Sequence, residues 1–196
     1  MTGGPYATDD PEDALRNGDV DCAVIGEGEI TAVELVGRLL EHRPIDDVAG
    51  VVYPRDGRVV RTVPRPLVAD LDTLPLPDYS LIDLDAFSNR YLTFSSKIFQ
   101  PHGNIMTTRG CPYQCAYCHN ILGKRFRART PENVLAEIRD LHDRYGLTDF
   151  QIIDDIFNLD LDRAKRICDL IIRSGMTLTL SFPNALRGDR LDGELI

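Results

Sequence analysis

Apolar residues in the second half of the chain alternate between short runs and helical stripes. Ile105 to Thr108 reads as a strand, Phe150 to Ile153 as a second and Leu178 to Phe182 as a third. Between the first two, Val134, Ile138, Leu141 and Tyr145 fall on one face of a helix. Thr130 and Pro131 suit its N-cap and first position, and Gly146 its end. Ala164, Ile167, Cys168 and Ile171 mark another helix that stops at Gly175, and the chain reaches Ile196 as a further helix begins. Repeated strand–helix units of this kind predict a parallel sheet with helices outside it.

The first half is patterned differently. Cys22 to Ile25 suits a buried strand, with Cys22 as a core residue. Val33, Leu35, Val36, Leu39 and Leu40 then form the apolar face of a helix. The runs VAGVVY and RVVRTV flank PRDG, which predicts a hairpin with Gly57 in its turn. The stretch PRPLVADLDTLPLPDYSLIDLD carries four prolines, which exclude a central strand and resist helix. Its spaced leucines suggest a connector laid against a surface. The expected organisation is thus a small α/β domain at 1–63, a connector at 64–100 and the strand–helix domain at 101–196.

Composition narrows the possible functions. The 196 residues carry a formal net charge of −9, which argues against general nucleic-acid binding. No apolar run approaches bilayer length, and the N-terminus lacks a signal peptide's basic and apolar regions, so a cytoplasmic protein without a membrane partner is expected. The local basic run KRFRAR, Lys124 to Arg129, reads more simply as a solvated loop than as a phosphate contact.

The strongest chemical signal is the string TTRGCPYQCAYCHN, which places Cys111, Cys115 and Cys118 within eight residues. Three thiolates on one loop suit an iron–sulfur cube with one iron left open for chemistry. Zinc is an alternative, although closed zinc sites take four ligands and His119 beside Cys118 is poorly placed to be the fourth. Structural cysteine is another, and a disulfide suits the five cysteines less well. Cys168 lies on a helical stripe and reads as a packed core residue. In parallel strand–helix folds, active residues gather where strands end. Here three strand ends carry the cysteine loop, the string IIDDIFN with Asp154 and Asp155, and the string FPNALRGD with Asn184 and Arg187.

The strings NIMTTRGCPYQCAYC, GKRFRARTPENVLAEI and FQIIDDIFNLD together resemble the radical S-adenosylmethionine (SAM) superfamily, in the branch that carries a cobalamin-binding domain ahead of the radical domain. The resemblance implies an α/β fold: a partial (β/α) radical SAM barrel of about three of six units, after the C-terminal part of a Rossmann-like cobalamin-binding domain. It implies that Cys111, Cys115 and Cys118 hold a [4Fe-4S] cluster and that the Asp154–Asp155 position meets the SAM amino group. Tyr117 would pack near the adenine, and Asn184 and Arg187 would contact the ribose or carboxylate, although Arg187 is equally suited to pairing with Asp189. The implied reaction is reductive cleavage of SAM to a 5′-deoxyadenosyl radical acting on an unknown small-molecule substrate, with a reductase as electron donor.

This sequence departs from that branch near its start. The Asp-x-His-x-x-Gly segment that supplies the lower cobalt ligand is absent, and His42 is followed by Arg43 and Pro44. Cobalamin is therefore not expected on this chain alone. With about half a barrel, the chain reads as truncated at both ends and impaired in turnover. The competing reading is a non-catalytic iron–sulfur or zinc-binding fragment.

Overall fold

A computed structural model describes residues 1–16, 19–84, 101–184 and 186–195. Its contacts divide the chain into two units, one of residues 1–69 and 114–123 and the other of residues 70–113 and 124–196.

In the first unit, α1 (Pro5–Asp9) and α2 (Pro11–Leu15) each open on proline, which lacks the N–H that a first helical turn cannot use. Strand β1 (Ala23–Val24), helix α3 (Gly28–Leu40) and strands β2 (Val51–Arg55) and β3 (Arg58–Arg61) follow. The strands form an antiparallel sheet in the order β1-β2-β3, and Thr2 adds a parallel bridge to Ala23. The expected hairpin is present. Asp56 and Gly57 both take positive φ, at 51° and 71°, the conformation a two-residue turn needs to match strand twist. Cys22, Val24, Leu35, Val48, Val51 and Tyr53 make the core beneath it.

Helix α3 differs from its expected orientation. Of the five apolar positions assigned to its buried face only Leu35 is buried, whereas Val33 and Leu40 are 77% and 76% exposed. The inward face runs through Thr31 and Leu35, one helical turn apart. Thr31 is held there by polar contacts. Its hydroxyl donates to the Ala49 carbonyl at 3.1 Å and accepts from Arg65 Nε at 2.7 Å.

The second unit is built on a parallel sheet in the order β4 (Gly103–Ile105), β7 (Asp149–Ile152), β8 (Thr179–Ser181). Helices α4 (Pro131–Tyr145) and α5 (Leu161–Ser174) are the crossovers. Thr130 and Asp160 cap them through the amides of Asn133 and Arg163, and Gly146 and Gly175 end them in the left-handed region. Ile105, Val134, Ile138, Leu141, Phe150, Ile152, Phe157 and Ile167 fill the core; Cys168, expected within it, is half-buried and not among the core residues.

The first strand is shorter than expected. It leaves the sheet at Ile105, and Thr108–Arg109 (β5) pairs instead, antiparallel, with Arg127–Ala128 (β6). Of the final helix, the described residues show only a 3-10 turn at Gly188–Arg190. The connector makes 3-10 turns at Leu71–Thr73 and Tyr79–Leu81, and Tyr79 packs on the core while donating to the Asn104 carbonyl at 2.9 Å. Connector residues 85–100 lie outside the described residues. Among the described residues, no helix is long and apolar enough to cross a membrane.

Candidate cofactor site

The segment that leads to the first cysteine is fixed by polar groups. Asp154, at the exit of β7, is 1% exposed and sits under Thr107 and Thr108, both fully buried. Its Oδ1 accepts from the Thr107 amide at 2.5 Å and the Thr108 amide at 3.0 Å, and its Oδ2 accepts from the Thr107 hydroxyl at 2.5 Å. The Thr107 carbonyl accepts from the Arg129 amide at 3.0 Å and from Arg163 Nη2 at 2.9 Å. Burial pushes the Asp154 carboxyl above its ordinary range, against the pull of these donors. Burial likewise lowers Arg163, which the Asp154 charge partly offsets. Gly110 then takes a φ of 81°, allowed to glycine without strain, and Cys111 follows.

The basic run is not the solvated loop expected of it. Arg127 is 5% exposed, and Arg129 pairs with Glu137, which is 3% exposed. Arg129 also donates to Asn133 Oδ1 at 2.6 Å and to the Met106 carbonyl at 3.1 Å. Arg129 thus ties the strand exit to α4, because the irregular backbone at 106–107 offers carbonyls that no strand satisfies. Lys124 contributes similarly, donating to the Tyr113 carbonyl at 2.8 Å.

Cys111 is half-buried in the second unit, while Cys115 and Cys118 are exposed in the first, and all are free thiols. The Cys118 amide donates to the Cys115 carbonyl at 3.1 Å, closing a turn that brings these two cysteines round on one short segment. Tyr117, between them, is 93% exposed. Among the described residues, no three His, Cys, Asp or Glu side chains stand together as a formed metal cage. The donor chemistry nevertheless suits an iron–sulfur cluster, since the three cysteines are outside any disulfide and two of them reach solvent. In the first unit, a cavity of about 530 Å³ opens between Pro5, Tyr6 and Asp9 and the residues after Cys118, His119 to Ile121.

The remaining candidates fall into two groups. Asp155 is half-buried, one residue beyond the sequestered Asp154, and Asn184 is exposed. Arg187 forms a two-bond pair with Asp189, at 2.9 and 2.8 Å, and lies 4.0 Å over the Tyr113 ring. Asn158 was missed in the sequence. It is fully buried, its amide donates to the carbonyls of Arg187 and Arg190 at 2.9 and 3.1 Å, and its oxygen accepts from the Arg187 amide at 3.0 Å. Only its place three residues after the acid pair hinted at a role.

With this geometry in place, the chain can be compared with known proteins. Residues 105–192 match the family model of the Radical SAM superfamily. It is 36% identical over 91% of its length to an uncharacterized methyltransferase of Pyrococcus horikoshii, of which it covers 38%. Two solved structures share the fold. The radical SAM methyltransferase TsrM from Kitasatospora setae, with cobalamin and a [4Fe-4S] cluster bound, matches 88% of this chain with a TM-score of 0.63 and 23% identity. The cobalamin-dependent SAM radical enzyme OxsB, with aqua-cobalamin bound, matches 91% with a TM-score of 0.72 and 20% identity. The chain covers 33% and 25% of those two proteins.

Proposed function

We propose that Cys111, Cys115 and Cys118 hold a [4Fe-4S] cluster and that SAM binds beside it, within a partial (β/α) barrel of about three units. The observation that carries this reading is the three-thiol loop launched from the exit of the first parallel strand, beside the acid-bearing exit of β7. When bound, the cluster supplies one electron for cleaving SAM to methionine and a 5′-deoxyadenosyl radical. The chain's own residues then have distinct tasks. The Asp154–Asp155 position supplies a carboxylate to the SAM amino group. Tyr117, Asn184 and Arg187 contact the adenine, ribose or carboxylate. A reductase delivers the electron, and a small molecule of unknown structure gives up the hydrogen.

On this reading cobalamin is not assigned to this chain alone. His42 is exposed at the end of α3 with a φ of 52°, and Arg43 and Pro44 follow it. This tripeptide is not the Asp-x-His-x-x-Gly segment that supplies the lower cobalt ligand in the branch the sequence resembles. The organisation of 1–63, 64–100 and 101–196 as partial domain, connector and half barrel belongs to the same proposal.

Anaerobic reconstitution with iron and sulfide tests the reading. The expected product is brown, holds about four irons per chain, and gives an electron paramagnetic resonance spectrum that SAM perturbs. Alanine at any one of the three cysteines should abolish that spectrum. A colourless chain that prefers zinc and ignores SAM would establish the non-catalytic alternative.

A further inference from the structure

We infer that Asp154 is a positioning residue: its carboxylate fastens the strand exit at Thr107 and Thr108, and so fixes where the chain delivers Cys111. The backbone must leave the sheet after Ile105 to reach the β5–β6 ladder, and in doing so it exposes two amides in a region with no water access. Thr107 and Thr108 are both fully buried. Orphaned donors at such depth strongly disfavour a conformation. The carboxylate takes both amides and the Thr107 hydroxyl, while Arg163 and the Arg129 amide take the Thr107 carbonyl. Every polar group of Thr107 is thereby engaged by a residue outside the sheet.

The same bonds limit what else Asp154 does. A carboxylate has about four lone-pair sites, and three donors already occupy this one. Asp155, by contrast, is only half-buried. Insofar as the proposed cluster and SAM site hold, contact with the SAM amino group then falls to Asp155. The tethering of Cys111 does not depend on that site being loaded.

The cysteines provide the test. The metal-free full chain would be pulse-labelled with iodoacetamide and the rate at each cysteine read by peptide mass mapping. Cys22, buried in the first unit, and Cys168, half-buried in the second, report general loosening. Asp154→Ala should raise the Cys111 rate by roughly 3- to 10-fold, as expected for loss of buried hydrogen bonds, with Cys22 and Cys168 held within about twofold. Asp154→Asn, which keeps an acceptor for the two amides, should raise it less. Should Asp154→Ala not fold, Thr107→Val removes one of the three donors, and Thr107→Ser should restore the native rate. An unchanged Cys111 rate overturns the inference, as does a rise at Cys168 by the same factor. Iron uptake by the unmutated chain is measured separately. A chain that labels as expected but takes up no iron retains the tether and loses the proposed cofactor.

Discussion

Replacing Gly103 with alanine probes how tightly the strand that leads to the cysteines is packed. A Cβ there would lie 2.8 Å from Phe150 Cδ1, 2.9 Å from Phe150 Cε1 and 3.2 Å from Leu141 Cδ1. Optimal carbon contacts begin near 3.5 Å, so the overlap with the ring is about 0.7 Å. Phe150 and Leu141 are each 1% exposed, and Phe150 sits on the central strand between β4 and β8, so neither side chain has room to retreat. Overpacking of this kind costs about 1–3 kcal/mol. Restricting the unfolded chain by the change from glycine to alanine returns about 0.4–1 kcal/mol. Taking the middle of each range, the net loss is about 1.3 kcal/mol, and the midpoint should fall by roughly 3–5 °C for a chain of this size. Thermal and urea unfolding followed by circular dichroism would measure it. A Gly103→Ala chain as stable as the parent would show that this part of the core has slack and that the argument from packing fails.

Gly37→Ala is the opposite case. It lies inside α3 with nothing within 4 Å of its Cβ position, and should stabilise by about 0.5–1 kcal/mol in urea titration. Asn158→Ala should release the Arg187–Arg190 turn, at a cost of about 1–3 kcal/mol, with faster amide exchange confined to that turn. Burial pushes the Tyr79 phenol up to about 12. A group raised in the folded state lends stability that is full below its ordinary value near 10 and is lost as pH climbs through about 12. The parent should lose up to about 2.7 kcal/mol across that window and Tyr79→Phe should not, a difference read from denaturant midpoints at each pH.

Elements whose signals were local could be read from the sequence. The Asp56-Gly57 turn, the Thr130 and Pro131 start of α4 and the Gly146 and Gly175 stops follow from adjacent residues, and the parallel pairing follows from the strand–helix alternation. The thiol trio was equally plain. What escaped depended on distant partners. Arg129 looks like a surface charge until the Met106 carbonyl and Glu137 are placed beside it, and the burial of Arg127 is equally invisible in the sequence. The end of the first strand at Ile105 is dictated by an acid that follows it by an entire crossover helix. On α3, Val33 and Leu40 fit the helical period as well as Leu35 does, and only the sheet beneath shows which side faces inward.

The hairpin and the parallel sheet also differ in when they can form. Arg55 pairs with Arg58 across two residues, so that ribbon closes by itself within about 1–10 μs. Gly103 pairs with Phe150, and no partner for it exists until the intervening helix has been synthesised. At about 5–20 residues per second, the ribosome leaves the nascent β4 edge bare for several seconds. During that interval, chaperone cover over the emerging segment matters most to yield.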